Sequence, residues 1–258
     1  LGGDGLRQVA PGDGLGHAIA NRLAGSGADV ALVGRTFSKV ERRAAEISER
    51  WGVKAYAIEA DLSDWDQVDR SVAESHDLLG GLDIMINNPI QMRGGLFENM
   101  SREDIDYTVH GSFTMLMYGA HAALKYMLPQ GSGKIINIAS AAARTAQKGI
   151  VVYGAAKAGV IGFTRNLAHE VIDRGVYVLG VAPGIMINAD LERNILNPAG
   201  PAEMVARSTV FESIDTVVQV RRVSLPEEVA NMVAYLASEA ADYMCGQTID
   251  VSGGMYMN

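Results

Sequence analysis

Residues 134–157 read KIINIASAAARTAQKGIVVYGAAK: a short apolar run, a small-residue connection ending at Gly149, then the start of an apolar pattern with helical spacing. The run at 134–139 is too short for a helix and is read as a strand. From about 153 to 173, Val160, Thr164, Leu167 and Val171 recur every three or four residues, which predicts a helix. VYVLGVA at 176–182 is then another apolar strand. A strand, a helix and a second strand of this kind form one parallel crossover unit. The same alternation continues in both directions. Upstream, ADVALV (28–33), VKAYAI (53–58) and LDIMI (82–86) are strand-like, the last running into Asn87-Asn88-Pro89. Between them, Val40, Ala44, Ile47 and Trp51 mark one helix, and Trp65, Val68, Val72 and Leu79 another, with Ser63 and Asp66 as its expected capping box. A second capping box, Ser101 to Asp104, opens a long helix ending near Met127, ahead of Pro129. Downstream lie a helix over 226–237 and a final strand, TIDV, at 248–251.

Apolar strands alternating with amphipathic helices predict an α/β fold: a doubly wound, mostly parallel, Rossmann-like sheet with helices on both faces. One domain over 1–258 is expected. Segment 189–222, polar with Pro198 and Pro201, lacks a clean period and reads either as a substrate lid or as ordinary surface loop. In such sheets ligands sit beyond the carboxyl ends of the strands, which draws attention to the residues just after each one.

Composition narrows the function. The 30 acidic against 22 basic side chains give a net charge of −8, which argues against nucleic-acid or anionic-membrane partners. The single Cys245 cannot form an intramolecular disulfide. No apolar run reaches bilayer-spanning length and no signal peptide is read at the start, so a cytoplasmic protein is expected. The five histidines show no metal-ligand spacing, and no metal is expected.

Tyr153 and Lys157, four apart at a helix start, project from one face. A phenol is a poor base at neutral pH, and a nearby ammonium favours the phenolate. By itself the spacing is weak evidence and reads first as an ordinary amphipathic helix face. Ser140 adds to it: at the carboxyl end of a strand, its hydroxyl can donate to the same substrate oxygen that Tyr153 would serve.

With these residues in order, the sequence resembles the short-chain dehydrogenase/reductase family over essentially its whole length. The resemblance rests on Asn87-Asn88, Ser140, Tyr153-Gly-Ala-Ala-Lys157, Pro183-Gly184, Gly246-Gln247 and Gly253-Gly254. It implies reversible hydride transfer between a nicotinamide cofactor and a secondary alcohol or ketone. In it Tyr153 is the general acid/base, Ser140 holds the substrate oxygen, and Lys157 binds the nicotinamide ribose and lowers the tyrosine pKa. The residues implied to bind cofactor are Gly12, Gly14, Leu15, Gly16, Arg35, Asp61, Leu62, Asn88, Tyr153, Lys157, Met186 and Asn188. Arg35 stands where members that prefer NAD tend to carry an acidic residue, so NADP is expected, with NAD as the alternative. The family also implies a homotetramer.

Several positions depart from the family pattern. Ala10 replaces the first glycine of the Gly-x-x-x-Gly-x-Gly loop, and Asp4 and Arg7 fall where a buried strand should be apolar. Thr108 replaces an asparagine that bends a helix and holds a relay water, and Pro89-Ile90 replaces a small pair beside the cofactor. These motivate a second reading, a catalytically silent relative with an impaired dinucleotide site.

Overall fold

The computed structural model describes residues 14–187, 214 and 216–257. The strands among the described residues are β1 (Val30–Gly34), β2 (Ala55–Glu59), β3 (Ile84–Asn87), β4 (Gly133–Ile138), β5 (Val176–Pro183) and β6 (Thr248–Val251). Its α-helices include α1 (Leu15–Ala24), α2 (Phe37–Trp51), α3 (Trp65–Leu79), α4 (Arg102–Val109), α5 (Met115–Gln130), α6 (Val151–Val171) and α7 (Pro226–Ala237). Every strand pairing is parallel: β1 with β2, and β3-β4-β5-β6 in that order. The α/β architecture read from the alternation is therefore present, with strand limits within two residues of those expected.

Apolar faces on both sides of the sheet explain why it forms. On one side Leu15, Ala18 and Ile19 of α1 and Val229, Val233 and Leu236 of α7 bury against Ile136, Ile138, Leu179 and Val181. On the other, Val68 and Val72 of α3, Ala123 and Met127 of α5 and Ala168 and Val171 of α6 cover Ile135, Val176 and Val178. Alternate residues of β4 and β5 thus point into opposite layers, as the pleat dictates.

Two local expectations are corrected. The cap of α3 is Asp64, whose carboxylate accepts the Gln67 amide at 3.0 Å; Ser63 instead donates to Asp61. The long helix expected from Ser101 is not continuous. Its Ser101–Asp104 capping box forms as expected, but a π-turn over His110–Thr114 separates α4 from α5. The cause is a close approach: a β-carbon on Gly111 would run into the Gln91 side chain, and the Ser112 hydroxyl donates to the Gln91 carbonyl at 2.7 Å. The helix widens to admit the chain after β3. Segment 189–222 lies mostly outside the described residues, as do residues 4–12 with Ala10 and Gly12.

Candidate active site

The site forms at the carboxyl ends of β3, β4 and β5. Ser140, just beyond β4, is extended (φ −164°, ψ 151°), and its hydroxyl oxygen accepts the Ala142 amide at 3.2 Å. That bond caps a single 3₁₀ turn, Ala141–Ala143, which doubles the chain back. The first turn of α6 packs directly on it: a β-carbon at Gly154 would lie 3.0 Å from the Ala142 carbonyl oxygen, so glycine is the residue that lets the two segments close. This contact brings Tyr153 beside Ser140.

The phenol of Tyr153 is largely buried. Burial pushes its pKa above the usual 10, and hydrogen bonding from Ser140 pulls the other way with smaller effect. Lys157, one turn further along α6, is almost fully buried, and its ammonium donates to the Ile138 carbonyl at 2.8 Å. Desolvation lowers its pKa to about 8. Its nitrogen stands 5.9 Å from the Tyr153 ring centroid. On the phenol itself burial is the largest influence, and the net shift runs upward.

One residue that sequence reasoning missed, Asn137, supports this trio from below. Asn137, within β4, accepts from Asn87 Nδ2 at 3.0 Å and donates through its own amide to Thr164 Oγ1 at 3.0 Å. The chain of three ties β3, β4 and α6 together in a buried layer. One asparagine in the otherwise apolar run KIINIA was its sequence signal. Thr108 is also buried, and its hydroxyl accepts the Arg93 amide at 3.0 Å, binding the segment after β3 to α4.

Of the residues expected to hold a dinucleotide, Gly14, Gly16, Leu62 and Asn88 line a cavity of about 770 Å³ that runs along β1 and β3. Gly14 caps α1 without a side-chain partner and accepts the amides of His17 and Ala18, so the first amides of the helix, those of Leu15 and Gly16, face outward from its N-terminus. Asn88 Nδ2 lies over this turn, 3.4 Å from where a β-carbon on Gly16 would be. An uncapped helix end beside an amide donor suits a pyrophosphate. Arg35 is exposed directly after β1, near enough to Asp61 to help lower that carboxyl's pKa, although the larger cause is hydrogen bonding from Ser63. Met186 pairs with Ser224 through its neighbours: Ile187 N–H donates to Ser224 O, and Ser224 N–H to Ile185 O, both at 2.9 Å. Its own amide therefore faces the opposite side. Ser140 and Tyr153 are not part of this cavity's lining. Gly12 and Asn188 lie outside the described residues. Among those residues no cluster of His, Cys, Asp or Glu could hold a metal, and no helix is long and apolar enough to cross a membrane.

Comparison with known proteins agrees with this geometry. The short chain dehydrogenase family model matches residues 9–199. The chain is 35% identical over 243 residues to the 3-oxoacyl-[acyl-carrier-protein] reductase FabG of Aquifex aeolicus, covering 94% of this chain and 93% of that one. It is 37% identical over 244 residues to Nodulation protein G of Rhizobium sp. (strain N33), covering 95% and 93%. Among solved structures, levodione reductase superposes with a TM-score of 0.84 at 29% identity, covering 93% of each chain. A putative short-chain alcohol dehydrogenase of Sinorhizobium meliloti 1021 gives the same score at 27% identity, covering 94% of this chain and 92% of that one. An uncapped helix beside Asn88, and a serine, a tyrosine and a buried lysine at one sheet edge, thus accompany similarity along nearly the full length: the chain belongs to the short-chain dehydrogenase/reductase family of nicotinamide-dependent oxidoreductases.

Proposed function

We propose that the protein reduces a ketone, or oxidises the corresponding secondary alcohol, using NADP(H) in preference to NAD(H), with Ser140, Tyr153 and Lys157 as its catalytic set. The observation that carries this reading is the closure of α6 onto the turn after Ser140, which sets a buried phenol against a hydroxyl and one helical turn from a buried ammonium. The nicotinamide cofactor supplies or accepts the hydride. Ser140 donates a hydrogen bond to the substrate oxygen and stabilises charge growing there. Tyr153, protonated through neutral pH by its burial, gives its proton to that oxygen in the reductive direction and takes it back in the oxidative one. Lys157, with a pKa of about 8, lies near enough to neutrality to exchange a proton at modest cost.

The α1 N-terminus with Leu15, Gly16 and Asn88 would hold the pyrophosphate and adjoining ribose, Asp61 and Leu62 the adenine side, and the Met186 amide the carboxamide. Arg35 supports the choice of NADP because an exposed guanidinium can pair with a 2′-phosphate. A homo-oligomer, tetrameric as in the family, is supported by exposed Tyr243 and Met257 near the C-terminus. The test is turnover: Tyr153→Phe should reduce NADPH-linked reduction by at least about 100-fold, the scale of one positioned proton donor. Undiminished turnover overturns the assignment. Failure of the wild-type protein to bind either reduced nucleotide favours the catalytically silent relative.

A further inference from the structure

We infer that Arg144 is a positioning residue for the reaction: its guanidinium, held on β6 by Thr248 and Asp250, fixes the turn that begins at Ser140; this rests on the reading above and adds a residue to it. The turn is short and has few bonds of its own. At its start Ser140 Oγ accepts the Ala142 amide. At its end the Arg144 and Thr145 amides donate to the Ala141 carbonyl, at 2.9 and 3.0 Å. A single turn of 3₁₀ helix held this way is marginal without support from elsewhere.

The Arg144 side chain supplies that support. The sheet runs β4-β5-β6, so the link from the turn after β4 to β6 passes over β5. Ile249 and Val251 pack into the α1 and α7 layer, so Thr248 and Asp250, which alternate with them, face the α6 side. The Gly180 and Gly184 amides take the Gln247 and Val251 carbonyls, which leaves the Thr248 carbonyl pointing away from β5. Arg144 Nη2 donates to that carbonyl at 3.0 Å, and Nε stands 3.3 Å from Asp250 Oδ2. The Tyr256 ring completes the grip, its centroid 5.2 Å from the guanidinium carbon. The Ser140 turn is thus held from two sides, by Gly154 of α6 against Ala142 and by Arg144 against β6.

The pair is a poor device for stability alone. The Arg144 and Asp250 side chains are only 21% and 17% exposed. Burial pushes the Asp250 carboxyl pKa up, and Arg144 pulls it back by less. Asp250 Oδ1 has no hydrogen-bond partner among the described residues, and Arg144 Nε meets its carboxylate without hydrogen-bond geometry. A buried pair so incompletely bonded commonly stabilises no better than apolar side chains of similar volume. What it does provide is direction, because a planar guanidinium set against a carbonyl, a carboxylate and a ring has one place to lie. Direction matters on a turn that carries a catalytic hydroxyl, where a misplacement of about 1 Å costs on the order of 100-fold in rate.

The experiment separates activity from stability on the full-length protein. NADPH-linked reduction of ethyl 3-oxobutanoate, cyclohexanone and acetophenone, NADPH binding and urea unfolding are measured for wild type, Ser140→Ala, Arg144→Met, Ser140→Ala/Arg144→Met and Arg144→Met/Asp250→Leu. Arg144→Met should lower kcat by about 10- to 100-fold and leave NADPH affinity unchanged, since Arg144 does not line the cavity beside Gly16 and Asn88. In the Ser140→Ala background the same change should cost less than about threefold, because the hydroxyl it positions is already gone. Arg144→Met/Asp250→Leu should unfold at the wild-type urea concentration or above and still show the loss in kcat; it carries the test if the unpaired Asp250 keeps Arg144→Met from folding. Wild-type kcat in Arg144→Met/Asp250→Leu, a loss that multiplies in full with Ser140→Ala, or a loss confined to variants that unfold more easily overturns the positioning role and leaves the oxidoreductase reading intact. No turnover by wild type of any of these ketones, or of the matching alcohols in reverse, overturns both.

Discussion

The Lys157 ammonium, on α6, donates to the Ile138 carbonyl at the end of β4 across 2.8 Å. A strand's last carbonyl has no ladder partner beyond it, so the lysine satisfies a polar group that would otherwise be buried unpaired. In return, the carbonyl fixes the ammonium in a layer that water does not reach. The arrangement costs stability, because a desolvated cation holds its proton less firmly than a solvated one.

That cost gives a pH signature. Lys157 titrates at about 8 in the folded protein against 10.5 when solvated. Below pH 8 both states carry the proton and the penalty is present in full. Between about pH 8 and 10 the unfolded chain keeps its proton while the folded one sheds it, so the folded state gains with rising pH, by up to about 1.4 kcal/mol per unit. Lys157→Met abolishes this titration. Urea unfolding at pH 7 and pH 9.5 should show wild type gaining on the variant by one to a few kcal/mol, roughly. A difference that does not change with pH would contradict the buried placement.

The Asn87–Asn137–Thr164 chain gives a second expectation. Replacing Asn137 with Ala strands a buried amide on Asn87 and a buried hydroxyl on Thr164, each costing about 1–3 kcal/mol. The variant should lose roughly 2–5 kcal/mol in denaturant titration. Adding Thr164→Val should cost less in the Asn137→Ala background than in wild type, since the hydroxyl has already lost its donor. Additive losses would mean that the three residues do not act as a chain.

Why some features were legible and others not follows from how each is encoded. The α/β alternation was readable because burial on both faces of β4 and β5 demands near-continuous apolar strands, and each covering helix carries its own stripe. That Ser140, Tyr153 and Lys157 lie near one another at one sheet edge was readable because a strand end and a four-residue helical spacing fix where each side chain starts. The π-turn was not, because it results from Gly111 meeting Gln91, twenty positions away, and no local period records such a contact. The α3 cap was misassigned to Ser63 because Asp61, Ser63 and Asp64 are all competent acceptors. Only the fold shows that Ser63 is occupied with Asp61, at 2.8 Å.

A third expectation concerns acid. Glu228, in the first turn of α7, accepts both guanidinium nitrogens of Arg222, at 2.7 and 2.6 Å, and the Leu225 amide at 2.9 Å. The Arg222 bonds are the larger cause lowering its pKa to about 2, from 4.5. A depressed carboxyl contributes stability that is present above its unfolded pKa and is lost as pH falls from about 4.5 toward 2. Because both side chains are more than a third exposed, solvent screening holds the contribution to about 1 kcal/mol or less. Glu228→Gln should therefore lower Tm by roughly 2–4 °C at pH 7 and by progressively less below pH 4. An equal loss at pH 3 would place the effect elsewhere.

Cofactor choice gives the last and most direct expectation. Arg35 follows β1 at the sheet edge, exposed, with Asp61 within electrostatic range across the top of the sheet. A 2′-phosphate placed there would meet a planar donor able to bind two of its oxygens, and a charge-assisted bond of that type contributes about 1.5–3 kcal/mol. Wild type should thus favour NADPH over NADH by roughly 10- to 100-fold in kcat/KM, that energy expressed as a ratio. Arg35→Asp removes the donor and sets a carboxylate against the phosphate, so it should reverse the order rather than merely level it. Since the guanidinium is exposed, raising the salt from about 20 mM to 0.5 M should narrow the wild-type preference as the Debye length shortens, and should leave the NADH rate less affected. A preference for NADH in wild type, or a ratio that Arg35→Asp does not move, would assign this arginine to the solvent and return the cofactor to NAD.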